Sequence, residues 1–149
     1  MSATHDKPLL GALLRMPTDV ITRRLLDALR AGGFDDVVPA HFAVLRYPGP
    51  DGKRPSDLAA ETNMSREAMN YLLRQLEQLG YVERRDDPDD ARAKRVYETA
   101  RGTEVRLLLR STMRTLEADW AAELGEPELE RLRDLLLRLN EITHGATRG

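Results

Sequence analysis

Three polar side chains recur at four-residue spacing near the middle of the chain: Arg66, Asn70 and Arg74. Residues four apart lie on one face of an α-helix, so a helix here would display all three together. Arginine can form paired hydrogen bonds with guanine in the major groove of DNA, and asparagine can do the same with adenine. Taken alone, the spacing favours an ordinary solvated helix face, and the neighbouring sequence must decide between the two interpretations.

The same stretch predicts an amphipathic helix. Its apolar residues recur at three- and four-residue spacing: Met69, Leu72, Leu73, Leu76 and Leu79. Ser65 is the expected N-cap, because its hydroxyl can accept a hydrogen bond from an unpaired backbone amide, and Gly80 supplies the stop. The apolar side is therefore the core face. The polar side also carries Glu67, Tyr71 and Gln78.

A shorter helix and a tight turn precede this longer helix. Pro55 fits a first helical position, and Asp57 lies in the first turn, where the helix dipole favours a carboxylate. Residues 62–64 form the turn. Two helices joined by so short a turn cross steeply, which predicts a helix-turn-helix with the second helix facing outward.

Two strands are predicted after the longer helix, over residues 81–85 and 94–98, with residues 86–93 as the tip of a hairpin. Three cations lie at this tip: Arg92, Lys94 and Arg95. There they can reach a minor groove or phosphates. The alternative is that they pair with the acidic side chains of residues 86–90, because surface ion pairs are common. In this context the arrangement predicts a winged helix-turn-helix and favours a DNA-binding role for Arg66, Asn70 and Arg74.

The N-terminal part has a helical leucine period that ends at Ala31-Gly32-Gly33, and Pro17 interrupts it. Proline removes one helical hydrogen bond and crowds the carbonyl four residues back, so either one helix is kinked near residues 13–17 or a second helix begins at Pro17. We favour the kinked helix. After a linker at residues 34–38, Pro39 opens a helix over residues 40–46. Residues 47–52 form a loop, which leaves room for a very short third strand.

Thr99 is the expected cap of a helix that runs to about Glu123. Gly125-Glu126-Pro127 breaks it, and a last helix spans Glu128 to about Thr143. These helices carry more leucine than one small winged helix can cover, which indicates a dimer interface shared with the first helix. The expected organisation is one domain over residues 1–149. Residues 9–34 and 99–145 form its helical dimerisation region, and residues 39–98 form its DNA-binding lobe.

Composition describes a soluble chain rich in amphipathic helices, with 149 residues, 41% hydrophobic and 32% charged. No apolar run approaches the ~20 residues of a spanning helix, no secretory segment is evident, and there is no cysteine, so we expect a cytoplasmic protein. The net charge of -2 does not by itself indicate a nucleic-acid binder. Affinity for DNA must then come from the orientation of the charged side chains and from two copies of the chain binding one duplex.

The sequence gives little support for a metal site, a cofactor or an enzyme active site. His5, His41 and His144 lie far apart without a second ligand at helical spacing, so we expect no metal site. The acidic run at residues 86–90 lacks the glycine and terminal glutamate of a calcium loop. No phosphate-binding glycine loop or nucleophile motif is present, so neither an enzyme nor a cofactor is expected. The remaining alternative is a winged helix used for protein association without DNA binding.

From Leu9 onward, nearly the whole chain resembles the MarR family of bacterial transcription regulators. Three segments carry the resemblance: LAAETNMSREAMNYLLRQLEQLGYVERR, DDPDDARAKR and ETARG. The chain departs from the family pattern at Ala91, where a second arginine is frequent, and at Glu98, where leucine is usual. The implied fold is mainly α with a small β-hairpin wing.

The resemblance further implies a dimeric repressor whose paired helices enter successive major grooves of a pseudo-palindromic operator. Ser65, Arg66, Asn70 and Arg74 match the groove-facing positions, and Arg92 matches the arginine at the wing tip. The family fold also implies a cleft in which small phenolic or lipophilic acids bind and weaken DNA affinity. Four residues are its candidate lining: Met16, His41, Phe42 and Leu109.

Overall fold

The computed structural model describes residues 7–46, 49 and 51–146 of the chain. Over these residues the fold is mainly α with one β-hairpin, as predicted. The helices are α1 (Leu10–Ala31), α2 (Phe42–Leu45), α3 (Pro55–Glu61), α4 (Arg66–Gln78), α5 (Ala100–Leu124) and α6 (Glu126–Ala146), and a 3-10 turn at Pro39–His41 leads into α2. The strands are β1 (Val82–Asp87) and β2 (Asp90–Glu98). Residues up to Thr112 form one compact unit, and residues from Met113 form a second.

A single helix, α1, passes through Pro17, so no second helix begins there. It ends where the glycine pair was expected, and Gly33 has a φ of 86°, a left-handed conformation that glycine adopts without strain. The C-terminal half of α1 contributes Leu25 and Leu29 to the core, whereas the leucines of its N-terminal half are exposed.

The helix-turn-helix forms as the sequence predicted. Pro55 occupies the first position of α3, and the Ser65 hydroxyl caps α4 by accepting a hydrogen bond of 3.1 Å from the Ala68 amide. Asn63 in the turn has a φ of 54°, which asparagine tolerates better than most residues. The turn directs the apolar face of α4 inward. Its buried residues are Met69, Leu72, Leu73 and Leu76, while Leu79 is half-buried.

The hairpin is longer than predicted. Its strands pair from Val82 with Glu98 to Asp86 with Lys94, and a bulge then precedes the last pair, Asp87 with Asp90. Only Pro88 and Asp89 turn the chain, because the Asp87 carboxylate accepts a hydrogen bond of 2.9 Å from the Asp89 amide and stabilises a tight turn.

The short third strand left open by the sequence is a single residue, Lys53. Its amide donates to the Val96 carbonyl at 2.9 Å, and the Val96 amide donates back to the Lys53 carbonyl at 2.7 Å. Much of the predicted loop beside it, at Tyr47, Pro48 and Pro50, lies outside the described residues, as does His5.

Thr99 caps α5, accepting a hydrogen bond of 3.1 Å from the Gly102 amide while its hydroxyl donates to the Gly80 carbonyl at 2.6 Å. The expected break falls at Gly125, with a φ of 94°. The last helix begins at Glu126, earlier than predicted, because Pro127 fits the first turn of a helix, where its missing amide costs nothing. No helix among the described residues is both long and apolar enough to cross a membrane.

Candidate nucleic-acid interface

The solvent-facing side of α4 is polar and partly cationic. We call six of its residues the outward face: Arg66, Glu67, Asn70, Tyr71, Arg74 and Gln78. Five of the six are exposed, and Asn70 is half-buried. Because the turn of residues 62–64 and the buried stripe fix the rotation of α4 about its axis, this face points away from the core. The residues predicted for base recognition are thus together on one solvent-facing surface.

The two cations of the outward face are not engaged inside the molecule. Arg66 and Arg74 make no ion pair with any residue that the structure describes. Their guanidinium groups can therefore bind an external acceptor without breaking an internal contact. Ser65, the exposed N-cap before α4, already accepts the capping hydrogen bond through its hydroxyl oxygen.

At the wing tip, the three predicted cations differ in exposure and in their ion-pair partners. Arg92 is 96% exposed, with its Nε 3.8 Å from Asp90. Lys94 pairs with Asp86 on the neighbouring strand. Arg95 is only 21% exposed and lies 3.5 Å from Asp87. Lys94 and Arg95 thus adopt the ion-paired arrangement that the sequence left open, and Arg92 projects into solvent.

A buried carboxylate, Asp87, fixes the wing to the helix-turn-helix. It accepts a hydrogen bond of 2.6 Å from Arg54 Nε, at the residue before α3, and its side chain is inaccessible to solvent. The bond from Arg54, followed by the Asp89 amide, lowers the pKa of Asp87 to about 2 against an opposing effect of burial. Sequence reasoning missed both residues, because nothing in the local pattern pairs positions so distant in the chain.

A second unpredicted cluster supports the C-terminal end of α4. The buried Tyr81 hydroxyl donates to Asp36, and Arg101 Nη2 donates to the same carboxylate at 3.1 Å. Arg101 also donates to the Leu79 carbonyl at 2.8 Å and lies 4.5 Å above the Tyr81 ring. Burial, followed by the bond to Asp36, raises the pKa of Tyr81 to about 12. The cluster connects the linker after α1, the end of α4 and the start of α5.

Glu98, one of the two departures noted above, has a specific partner. Arg106 on α5 donates through Nε and Nη2 to the two Glu98 carboxylate oxygens, at 2.8 and 2.9 Å. Hydrogen bonding to Glu98 raises the pKa of Arg106, although burial opposes it. The acidic residue therefore connects the base of the wing to α5.

The four candidate lining residues differ in environment. His41, Phe42 and Leu109 are buried, whereas Met16 is 66% exposed on α1. His41 Nδ1 accepts a hydrogen bond of 3.2 Å from the Val38 amide, so the ring proton lies on Nε2, which donates to Gln75 Oε1 at 3.2 Å. His41 thus links the turn before α2 to α4.

Comparison with known proteins agrees with this geometry. Residues 36–93 match the sequence model described as the MarR family. FabT of Streptococcus pneumoniae, solved in complex with DNA, has 18% identity and a TM-score of 0.76, covering 91% of this chain and 95% of FabT. MepR of S. aureus, solved as a DNA complex, has 21% identity and a TM-score of 0.72, covering 91% and 98%.

CouR of Rhodococcus jostii RHA1, solved with bound p-coumaroyl-CoA, has 20% identity and a TM-score of 0.72, covering 93% of this chain and 94% of CouR. No curated protein sequence matches the chain significantly. Residues 36–93 therefore resemble the MarR family in sequence, and the fold is similar to that of solved MarR family transcription regulators.

Proposed function

We propose that this chain is a sequence-specific DNA-binding transcriptional regulator that acts in the cytoplasm as a dimeric repressor. It binds a pseudo-palindromic operator and is released by a small aromatic or lipophilic ligand. The observation that carries the proposal is the outward face of α4, where Arg66, Asn70 and Arg74 project together from a helix whose opposite side is core.

Arg66 and Arg74 support base and phosphate contacts because both are exposed and neither forms an ion pair among the described residues. The chain as a whole has a net charge of -2, so long-range attraction to DNA is weak and local cations must supply the affinity. FabT and MepR, which share the fold, were both solved with DNA. In the proposed complex, α4 enters the major groove.

Arg92 is the wing residue best placed to reach the flanking minor groove or phosphates, because it is almost fully exposed. Lys94 retains 58% exposure beside Asp86 and can contribute a phosphate contact. Arg95 takes a supporting role, since it lies against the buried Asp87 carboxylate. This assignment narrows the three cations of the wing to one principal DNA contact.

Dimerisation is proposed for the two leucine-rich helices at the ends of the chain. Exposed apolar side chains occur on each of them: Leu10, Leu13 and Leu14 on α1, and Leu132, Leu135, Leu137 and Ile142 on α6. Large exposed apolar stripes favour self-association. We assign residues 9–34 and 99–145 to dimerisation and residues 39–98 to DNA binding, with half-sites about 10 base pairs apart.

The effector is proposed by analogy with CouR, which has a similar fold and was solved with bound p-coumaroyl-CoA. Met16, His41, Phe42 and Leu109 remain the candidate contacts. An effector releases DNA only if it binds the DNA-incompetent arrangement of the two α4 helices more tightly than the competent one. A thermal-shift screen of aromatic acids and their CoA thioesters tests this part of the proposal.

An electrophoretic mobility shift with the promoter duplex beside the chain's own gene tests DNA binding. We expect affinity to fall steeply with salt, and Arg66→Ala or Asn70→Ala to lose about 1–3 kcal/mol of sequence discrimination. Arg131→Ala, at an exposed position of α6, is the matched control and should leave discrimination unchanged. Salt-independent behaviour would instead support the alternative, a winged helix used for protein association.

A further inference from the structure

Glu67 is the one carboxylate of the outward face, and the proposed function leaves it without a role. It is the second residue of α4 and is exposed. At 3.6 residues per turn, its direction is nearly opposite to the centre of the buried stripe of α4. A helix in the major groove places the residues of its N-terminal part against base edges. Glu67 is thus the residue of the first turn that points most directly away from the core, and in the proposed complex it would face the bases.

No hydrogen bond or ion pair of Glu67 is found within the described part of the chain. A free carboxylate carried into a groove lined by phosphates is repelled, and it also loses its hydration. Both penalties are offset only where the groove supplies a hydrogen-bond donor. Glu67 therefore disfavours most duplex sequences and favours those that place a donor opposite it.

The major-groove edges of the bases identify that donor. Guanine presents two acceptors and thymine an acceptor with a methyl group, so neither can satisfy a carboxylate. Adenine has an amino donor, but its N7 acceptor lies beside it and repels a second charged acceptor. Cytosine presents its N4 amino group without an adjacent acceptor on the same base. Cytosine is therefore the base that fits Glu67 best.

We propose that Glu67 is a specificity-determining residue that accepts a hydrogen bond from the N4 amino group of one cytosine in each operator half-site. This inference rests on the proposed function, because it requires α4 to enter the major groove. Arg66 and Asn70 favour the bases that they bind, whereas Glu67 disfavours any base that offers it no hydrogen-bond donor. Discrimination against a wrong base arises partly from an acceptor that the wrong base cannot satisfy.

The competing role for Glu67 is structural, since an acidic residue in the first turn interacts favourably with the helix dipole. A structural role affects the melting temperature, whereas the proposed role affects base preference. The test uses the full chain and a duplex library with a randomised centre, selected by wild type, Glu67→Gln and Glu67→Ala. Asp35→Asn, at an exposed acid of the linker after α1 with no partner among the described residues, is the matched control.

We expect wild type and Asp35→Asn to select the same motif, with cytosine at one position of each half-site. Glu67→Gln should change that position to adenine, because an amide can donate to N7 and accept from N6 of adenine. Glu67→Ala should accept all four bases there. Replacing the cytosine in the selected duplex should weaken wild-type binding by roughly 5- to 150-fold, and Glu67→Ala binding by much less.

Two results would overturn the inference in distinguishable ways. If wild type selects a motif and both Glu67 variants select the same one, Glu67 does not read a base, while the proposed function stands. If wild type enriches no motif at all, the proposed function fails and the inference fails with it.

Discussion

Asp87 at the wing turn and Arg54 at the start of α3 are joined by a hydrogen bond of 2.6 Å, and the Asp87 side chain has no contact with solvent. Arg95 approaches the same carboxylate from β2, at 3.5 Å. Because residues 54 and 95 flank α4 in sequence, this one carboxylate holds the wing against the helix-turn-helix. The orientation of Arg92 at the wing tip therefore depends on a contact that is buried several residues away.

The first prediction concerns the pH dependence of stability. The pKa of Asp87 is about 2 in the folded protein and 3.8 ordinarily, so protons bind more tightly to this group after unfolding. Its contribution to stability is therefore complete above about pH 4 and is lost as the pH falls toward 2. Thermal melts of wild type should show the midpoint falling through this range.

Asp87→Asn should lower the melting temperature at neutral pH and remove part of the acid-side slope, since the neutral amide cannot be paired by Arg54 in the same way. Asp86→Asn is the matched control, because Asp86 is adjacent in sequence but 72% exposed. An Asp87→Asn protein with the wild-type melting temperature at neutral pH would contradict the anchoring role.

The second prediction concerns Gly102, in the first turn of α5. A Cβ at this position would lie 2.1 Å from the Tyr81 carbonyl oxygen, which is backbone and cannot move away freely. Gly102→Ala should therefore destabilise the protein by about 1–3 kcal/mol or more, because overpacking forces the backbone to shift. Chemical denaturation measures the change.

The matched control for Gly102 is Gly11 in α1, where an added Cβ would have no atom of the described residues within 4 Å apart from its chain neighbours and the backbone of its own helix. Gly11→Ala removes backbone freedom from the unfolded chain without a clash, so it should stabilise the protein by about 0.5–1 kcal/mol. Equal changes in stability for Gly102→Ala and Gly11→Ala would show that the backbone of α5 can shift away from Tyr81 to admit the added methyl group.

Local patterns predicted the helices and the outward face because each depends on neighbouring residues. The Ser65 cap, the buried stripe of α4 and the Gly80 stop all lie within one short segment, and the structure contains all three. Arg66, Asn70 and Arg74 followed from the same helical period.

Contacts between distant residues were beyond the reach of local patterns. Asp36 pairs with Tyr81 and Arg101, and Glu98 pairs with Arg106, across segments whose approach depends on the whole fold. The wing cations show the same limit. The alternation of side chains along β2 did not predict that Arg95 would lie against Asp87. It also did not predict that Arg92, in the bulge, would project outward.

The third prediction separates those two arginines. Arg92→Ala should weaken DNA binding about equally for all sequences and reduce the slope of log affinity against log salt by about 1, because it would remove the phosphate contact that we propose for Arg92. Arg95→Ala should lower the melting temperature and affect DNA binding less directly, since Arg95 lies against Asp87. Salt titrations and melts of both variants measure these effects. A larger change of salt slope for Arg95→Ala than for Arg92→Ala would reverse the assignment.

The fourth prediction concerns the exposed apolar residues of the terminal helices. Leu135 on α6 is 51% exposed, although burying a leucine side chain is worth about 1.5–3 kcal/mol. If a second copy covers it, Leu135→Glu places an unpaired charge in an apolar interface and should shift the chain from dimer to monomer. Sedimentation equilibrium measures the change. Val38→Glu, at an apolar side chain that is 47% exposed and lies outside both regions assigned to dimerisation, should remain dimeric. Dimers of unchanged affinity for Leu135→Glu would exclude this face of α6 from the interface, and operator binding should then also be unaffected.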